Sequence, residues 1–550
     1  MKSLSKIKSI CLYGTVVGVT VLLDSCKSVQ KYVIPEGIDN SLNIPQKRNQ
    51  LTDDEKKTWF YADLENDTIP GISLTKAYNF LEGKKAAEVI VAVNDSGVDT
   101  KHKAFKNRLW ENPKELADNG KDDDRNGYID DIHGWNFLGD IYEENTELTR
   151  IIKENNESGL LTDEQYQDLK ARYDEELTEV ETTLSRDENI KSYLLKLHAT
   201  ITKLTGDENY TVADLEQLVA DKKTNERNIG ILRKILNDGL TVVDITKELN
   251  SNIERTRHKK DTYLNLEFSP RKEILKDDEN NFKTKNYGDA KVDVKRDDEI
   301  HGTHVAGIIL GEQVDAAGVA GVSKNAKLMV VRCVPDGDEY DKDVAMGIRY
   351  AVDNGAKVIN TSFGKKYSPH TKWVHDAIIY AEKKDVLIVN AAGNDFEDID
   401  TMISYPNDNH KGNTEEIANN VITIGAINYK YGPRILAPFT NYGKRNVDIF
   451  APGVEIYSAV PNDSYMALSG TSMAAPIVSG VATLIRGYYP KLSAHEVKKI
   501  IMNSGTKVNI DVVDPQNPSG YTTLDSLSIS GRIVNAHNAV LMADKITNSK

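Results

Sequence analysis

Three short stretches carry residue types that can do chemistry together. They are Val93-Asn94-Asp95-Ser96-Gly97, His301-Gly302-Thr303-His304-Val305-Ala306-Gly307 and Gly470-Thr471-Ser472-Met473-Ala474-Ala475-Pro476. A serine hydroxyl is a weak nucleophile until a base takes its proton. An imidazole serves best as that base when an anion orients it. Each stretch alone also has a plain structural meaning. An aspartate after a strand caps a turn, a histidine beside glycine and threonine is common in loops, and a serine caps a following helix.

Taken jointly, in the order Asp, His, Ser, the stretches resemble those of the subtilase family of serine peptidases. The resemblance implies that Ser472 attacks a scissile carbonyl and that His301 takes its proton and later passes it to the leaving amine. Asp95 would hold the imidazole and stabilise the imidazolium. The role falls to His301, the first histidine of its motif, and leaves His304 a structural part. Asn390-Ala391-Ala392-Gly393-Asn394 looks like the family's oxyanion segment, with Asn394 donating its side-chain amide beside the backbone N–H of Ser472. Ser362-Phe363-Gly364 resembles the strand edge that pairs with a peptide substrate, facing Ala391, Ala392 and Gly393. Here the chain departs from the common pattern. Phe363 replaces a usual leucine, and Lys365 and Lys366 follow where glycine and a small residue are typical. Those lysines either favour acidic substrate side chains or face solvent. The resemblance implies protein or peptide substrates and no cofactor for catalysis.

Elements must bring these residues together. Residues 88–94, 327–334, 357–360, 386–390, 421–427 and 447–450 read as strands, alternating with helical stretches at 341–354, 371–384, 472–488 and 493–502. Ser493 and Glu496 form a capping-box pattern. The alternation predicts an α/β fold, a doubly wound, mostly parallel sheet with ligands beyond the C-terminal ends of its strands, and the resemblance implies its subtilisin-like form. Residues 143–268 have another texture, poor in proline and rich in Glu, Lys and Leu. Leu169, Tyr173, Leu177, Val180 and Leu184 mark one face of a helix opened by Thr162 and Gln165, and a second helical stretch runs from Thr211 to His258 with breaks at Gly230 and Gly239. We read a long helical insertion there. The organisation is then a leader at 1–25, an N-terminal segment at 26–70, a catalytic domain split between 71–142 and 269–550, and the insertion at 143–268. Many subtilases carry a folded inhibitory pro-domain, but 26–70 lacks a clear strand–helix alternation.

The chain has 550 residues and a formal charge of −15, which argues against nucleic acid as a partner. Lys2, Lys6 and Lys8 precede an apolar run from Ile10 to Leu23, short for a membrane span and right for a secretory leader. Leu23-Asp24-Ser25-Cys26 resembles a bacterial lipobox, which implies export across the inner membrane, cleavage before Cys26, lipid on its thiol and a membrane-anchored envelope protein. An ordinary cleaved leader and a membrane anchor are the other readings. Cys333, in the apolar run Leu328–Val334, reads as a packed core thiol. Asp122, Asp124 and Asn126, followed by Gly127, open like a calcium loop. The closing glutamate of such a loop is missing, so Asp130 or Asp131 would substitute; the plain reading is an acidic Asn-Gly turn. Since subtilases often use calcium for stability, a structural calcium is expected from the resemblance. A reading of a different class is a catalytically idle envelope scaffold that binds a partner through the insertion.

Overall fold

The computed structural model describes residues 44–45, 50–158, 161–409 and 415–548. Its centre is a nine-stranded sheet. The strands are β1 (Val89–Asp95), β2 (Gly134–Asn136), β3 (Ala326–Arg332), β4 (Val358–Thr361), β5 (Leu387–Ala391), β6 (Val421–Ile427) and β7 (Ile449–Pro452). A hairpin of β8 (Ile456–Val460) and β9 (Ser464–Leu468) follows, then β10 (Thr506–Lys507), the hairpin β11 (Val512–Asp514) and β12 (Asn517–Thr522), and β13 (Arg532–Ile533). Across the main sheet the order is β10-β13-β7-β6-β5-β4-β1-β3-β2, and only the β10–β13 pair is antiparallel. A parallel sheet covered on both faces needs strands that are apolar throughout rather than alternating. That is why the runs around Val91, Val330, Ile388 and Ile424 were readable as strands.

Helices α9 (His301–Leu310), α12 (Thr471–Tyr488), α13 (Ala494–Ser504) and α14 (Ala536–Asn548) share one core with β1, β3 and β6. Helices α10 (Asp341–Asp353) and α11 (Thr371–Lys383) build the other layer with Met329, Ile359 and Ile388. Register sets the working end of the sheet. Asn94 lies opposite Thr361, and Thr361 opposite Asn390, so neighbouring β1, β4 and β5 end nearly level. The Asp95, Ser362 and Ala391 regions therefore meet at one edge.

The N-terminal segment does not stand apart. Helices α1 (Asp53–Thr58), α2 (Leu64–Asp67) and α3 (Leu74–Leu81) pack on the catalytic domain. Trp59 and Phe60 are buried in its main core, and the Trp59 indole donates to the Val454 carbonyl at 3.1 Å. The insertion is helical as expected, with α4 (Glu147–Ser158), α5 (Asp163–Thr205), α6 (Val212–Ala220), α7 (Glu226–Asn237) and α8 (Val242–His258). Helix α5 has 43 residues, about 65 Å at the usual rise, and opens with the Thr162–Gln165 capping box. Gly239, at φ 75°, ends a helix, but Gly230 lies inside α7. The insertion has two apolar centres. A base cluster joins Leu148, Ile152, Tyr173 and Val180 to Leu264, while a tip cluster gathers Leu194, Ile201, Leu215, Ile229 and Leu232.

Candidate active site

Asp95 ends β1 and is almost wholly buried. Its Oδ1 accepts from the Ser96 backbone N–H and from His301 Nδ1, each at 2.7 Å. A carboxylate can only accept, so Nδ1 carries the proton and Nε2 is left with its lone pair. The turn after Asp95 is held by a buried residue that no motif singled out. Glu299 Oε1 accepts from the Gly97 N–H and from Arg332 Nε, both at 2.8 Å, and Oε2 accepts from the Lys295 N–H at 2.6 Å. The one available signal was Arg332 itself, a charge that ends the apolar run Leu328–Val331 and demands a buried partner.

His301 opens α9 at the mouth of the cleft, with its side chain 38% exposed. Burial around the ring opposes the imidazolium, but the facing Asp95 charge and its hydrogen bond prevail and raise the imidazole above its ordinary 6.5. The glycine beside it has a steric reason. A Cβ at Gly302 would lie 2.7 Å from the carbonyl oxygens of Ser96 and Gly97, so only glycine lets α9 approach the Asp95 turn. His304 is buried and pushed down to about 3 by desolvation. As a neutral ring it donates Nε2–H to the Met466 carbonyl at 3.1 Å, the structural part expected of it.

Ser472 is the second residue of α12, so its N–H is among the first-turn donors that have no partner within the helix. Its hydroxyl donates to the Ser362 carbonyl at 3.1 Å in this rotamer, rather than to His301. Nucleophile–base contacts are often loose before substrate binds. Asn394 is anchored through Oδ1, which accepts from the Thr471 N–H at 2.8 Å and the Thr471 hydroxyl at 3.0 Å. That leaves Nδ2 as a donor beside Ser472. Gly393, at φ 104°, makes the turn; its N–H donates to the Thr471 hydroxyl, and Asn441 ties down the carbonyls of Ala392 and Gly393.

The cleft at Ser472 is lined by Phe363, Gly364, Ala391, Gly393 and Asn394, while Ala392 is buried behind it. Ser362 belongs to the support. Its hydroxyl donates to the Ser472 carbonyl at 3.0 Å and accepts from Asn360 Nδ2 at 2.9 Å. Lys365 follows neither course expected of it. It is buried, and its ammonium donates to Glu147 of α4 at 2.6 Å and to the Glu339 carbonyl at 2.7 Å, with Asp341 at 2.9 Å. Lys366 is exposed and pairs with Glu397 at 3.2 Å. Arg150 adds to the lock by donating to Glu147 at 2.6 Å and to the carbonyls of Asn145, Asp338 and Glu339. The insertion is thus bolted to the strand edge beside the cleft.

In the acidic loop, Asp122 and Asp124 converge with Glu115, offering oxygens within 4.8 Å of one another. Glu115 is buried, and its Oε2 has no hydrogen-bond partner. The other expected ligands are engaged in hydrogen bonds. Asp130 accepts from the N–H groups of Asn119 and Gly120; Asp131 accepts from Asn112, Asn126 and Tyr350. Asn126 donates its amide to Asp124 and Asp131. Glu115 was missed because it precedes the motif. Cys333 is buried, as expected of a core thiol. The leader and Cys26 lie outside the described residues, among which no helix is long and apolar enough to cross a membrane.

Known proteins are similar to this chain in sequence. The chain is 41% identical over 188 residues to a thermophilic serine proteinase of Bacillus sp. (strain AK1), covering 34% of this chain and 42% of that protein. It is 36% identical over 219 residues to the cell wall-associated protease of Bacillus subtilis (strain 168), covering 40% of this chain and 22% of that one. Less than two thirds of either relative is therefore spanned. Thermitase of Thermoactinomyces vulgaris is 35% identical over 210 residues, which are 38% of this chain and 68% of thermitase. The profile described as the subtilase family, peptidase S8, matches residues 86–522, most of the chain. The chain belongs to the subtilase family.

Proposed function

We propose that this protein is a serine endopeptidase that hydrolyses peptide bonds through an acyl-enzyme on Ser472. The observation that supports this most is the Asp95–His301 contact of 2.7 Å, and the anchoring of Asn394 to Thr471, the residue before Ser472, agrees with it. An extended peptide pairs with the Phe363–Gly364 edge, and its carbonyl carbon meets Ser472 Oγ. His301 Nε2 takes the hydroxyl proton as the bond forms. Asn394 Nδ2 and the Ser472 N–H receive the oxyanion. His301 then gives the proton to the leaving amine, and water, activated by the same ring, releases the acyl group. Asp95 favours the imidazolium. The same retained groups speak against the idle-scaffold reading. With a denatured protein as substrate, wild type should make internal cuts and Ser472→Ala should make none; equal cutting by both would sink the proposal.

We also propose a structural calcium at Glu115, Asp122 and Asp124. Hard carboxylate oxygens suit that ion, and the partnerless buried Glu115 Oε2 fits a ligand role. The ion would stiffen the loop and take no part in the chemistry. Saturating calcium at a hundred times Kd should stabilise the fold by about 2.7 kcal/mol. A thermal midpoint indifferent to calcium and chelator would contradict this. For location, we propose export and lipid attachment at Cys26, which metabolic labelling with a fatty acid tests through loss of label in Cys26→Ser.

A further inference from the structure

The cleft at Ser472 does not end at the catalytic domain. Its volume is about 540 Å³, and its walls include Thr146 and Leu148 of the insertion's base and Arg172 and Glu176 of α5. A second chamber of about 570 Å³ adjoins it. The two share Arg172, Lys366, Tyr367, Glu397 and Ile403, so they adjoin across these side chains.

The second chamber has two apolar walls from different parts of the chain. The insertion supplies Ile151 and Leu169, and the catalytic domain supplies Tyr367, Met402, Ile403 and Tyr405. Its insertion wall is fixed. Leu169 and Tyr367 pack on the cluster of Leu148, Ile152 and Tyr173, and the Lys365–Glu147 pair locks the start of α4. Its other wall leaves Met402 48% exposed. Of its charged lining groups, Lys366 pairs with Glu397 at 3.2 Å and Arg172 with Asp168 at 3.2 Å, while Glu154 lies deeper, against the Asn280 amide. A concave apolar site with a polar mouth, opening from a reaction centre, is built to take an apolar group of the same substrate. The chamber lies against Lys366 and Tyr367, just past the Phe363–Gly364 edge on which a peptide is proposed to pair. None of its lining residues comes from α9, the side on which the leaving amine departs.

We propose that this chamber is a substrate subsite built jointly by the insertion and the catalytic domain, taking a bulky apolar side chain of the polypeptide on the acyl side of the scissile bond. The proposal rests on the peptidase reading above. It gives the insertion a role in selecting substrate.

The test uses the full chain and fluorogenic peptides in which each acyl-side position carries Ala, Leu, Phe or Glu in turn. Wild type should favour Phe or Leu over Ala in kcat/KM by about tenfold or more at one position, the scale of a filled apolar pocket. Leu169→Trp, which fills the chamber, and Met402→Asp, which charges it, should each bring that ratio to within about threefold. Labelling with a serine-directed fluorophosphonate reports in parallel whether Ser472 is competent, so the ratio is read on active protein. If Leu169→Trp fails to fold, Met402→Asp decides, because that side chain is half exposed on a loop. An unchanged ratio in the variants, or a labelled wild type with no apolar preference at any acyl-side position, overturns the proposal. A wild type that neither labels nor cleaves overturns the peptidase reading instead, and the subsite with it.

Discussion

At the scale of single residues, the account turns on which group carries which proton. His301 must be neutral at Nε2 to accept from Ser472, yet Asp95 favours its protonated form and lifts it above 6.5. The sign follows directly. Activity is lost as pH falls through the raised value, so the acidic limb of a kcat/KM profile should have its midpoint above 6.5. Asp95→Asn should cut kcat by about 10⁴; an acidic limb centred below 6.5 in wild type would contradict the assignment. Asn394→Ala should lower kcat by about 10²–10³, the cost of losing one oxyanion donor. Steady-state kinetics on one peptide check this, and an unaltered kcat would remove Asn394 from the oxyanion site. The proposed catalytic groups were legible because their types recur in short motifs. Glu299 was not, since a lone glutamate acquires meaning only when the fold sets it against Arg332 and the Gly97 N–H.

At the scale of elements, the substrate edge and the insertion are one construction. Lys365 lies in a strand-edge segment and Glu147 in α4, and both are almost fully buried. Removing one partner of a buried pair strands the other charge, at a cost of about 3–5 kcal/mol. Lys365→Met should therefore lower stability by about that much in denaturant unfolding and also raise KM, because Phe363 and Gly364 lose their anchor. A destabilised variant with wild-type KM would separate the lock from the edge. The sequence pattern found the buried strands well, because two-sided burial leaves an uninterrupted apolar run. It missed α1 to α3, the β8–β9 hairpin and the elements after residue 505. Apart from α14, which has 13 residues and joins the main core, these are short, so each carries too little periodicity to read. The lysine pair misled for another reason: charge density suggests solvent until a buried partner is known.

At the scale of the whole molecule, the insertion has a base that belongs to the cleft and a tip with its own core. Excising the tip above the Glu188–Arg257 ion pair, and closing α5 to α8 with a short loop, removes the Leu194–Leu232 cluster and spares the base. That variant should fold, keep its thermal midpoint within a few degrees and cleave short peptides at the wild-type rate. Loss of peptide cleavage would show that the tip serves catalysis. The sequence made the insertion visible through its change of texture, and loop closure is lenient enough to admit it. It did not show that the base would wall the cleft, because residues about two hundred positions apart give no local sign of meeting. Likewise the apparent break before residue 71 vanishes in three dimensions, where Trp59 and Phe60 enter the catalytic core.

The central claim is that Ser472 is a nucleophile activated by His301 and Asp95. Labelling by a serine-directed fluorophosphonate tests it most directly, followed by mapping of the modified peptide. Wild type should label at Ser472 in a 1:1 ratio, faster as pH rises through the His301 midpoint, and Ser472→Ala and His301→Ala should not label. Wild-type labelling no greater than that of Ser472→Ala would contradict the account.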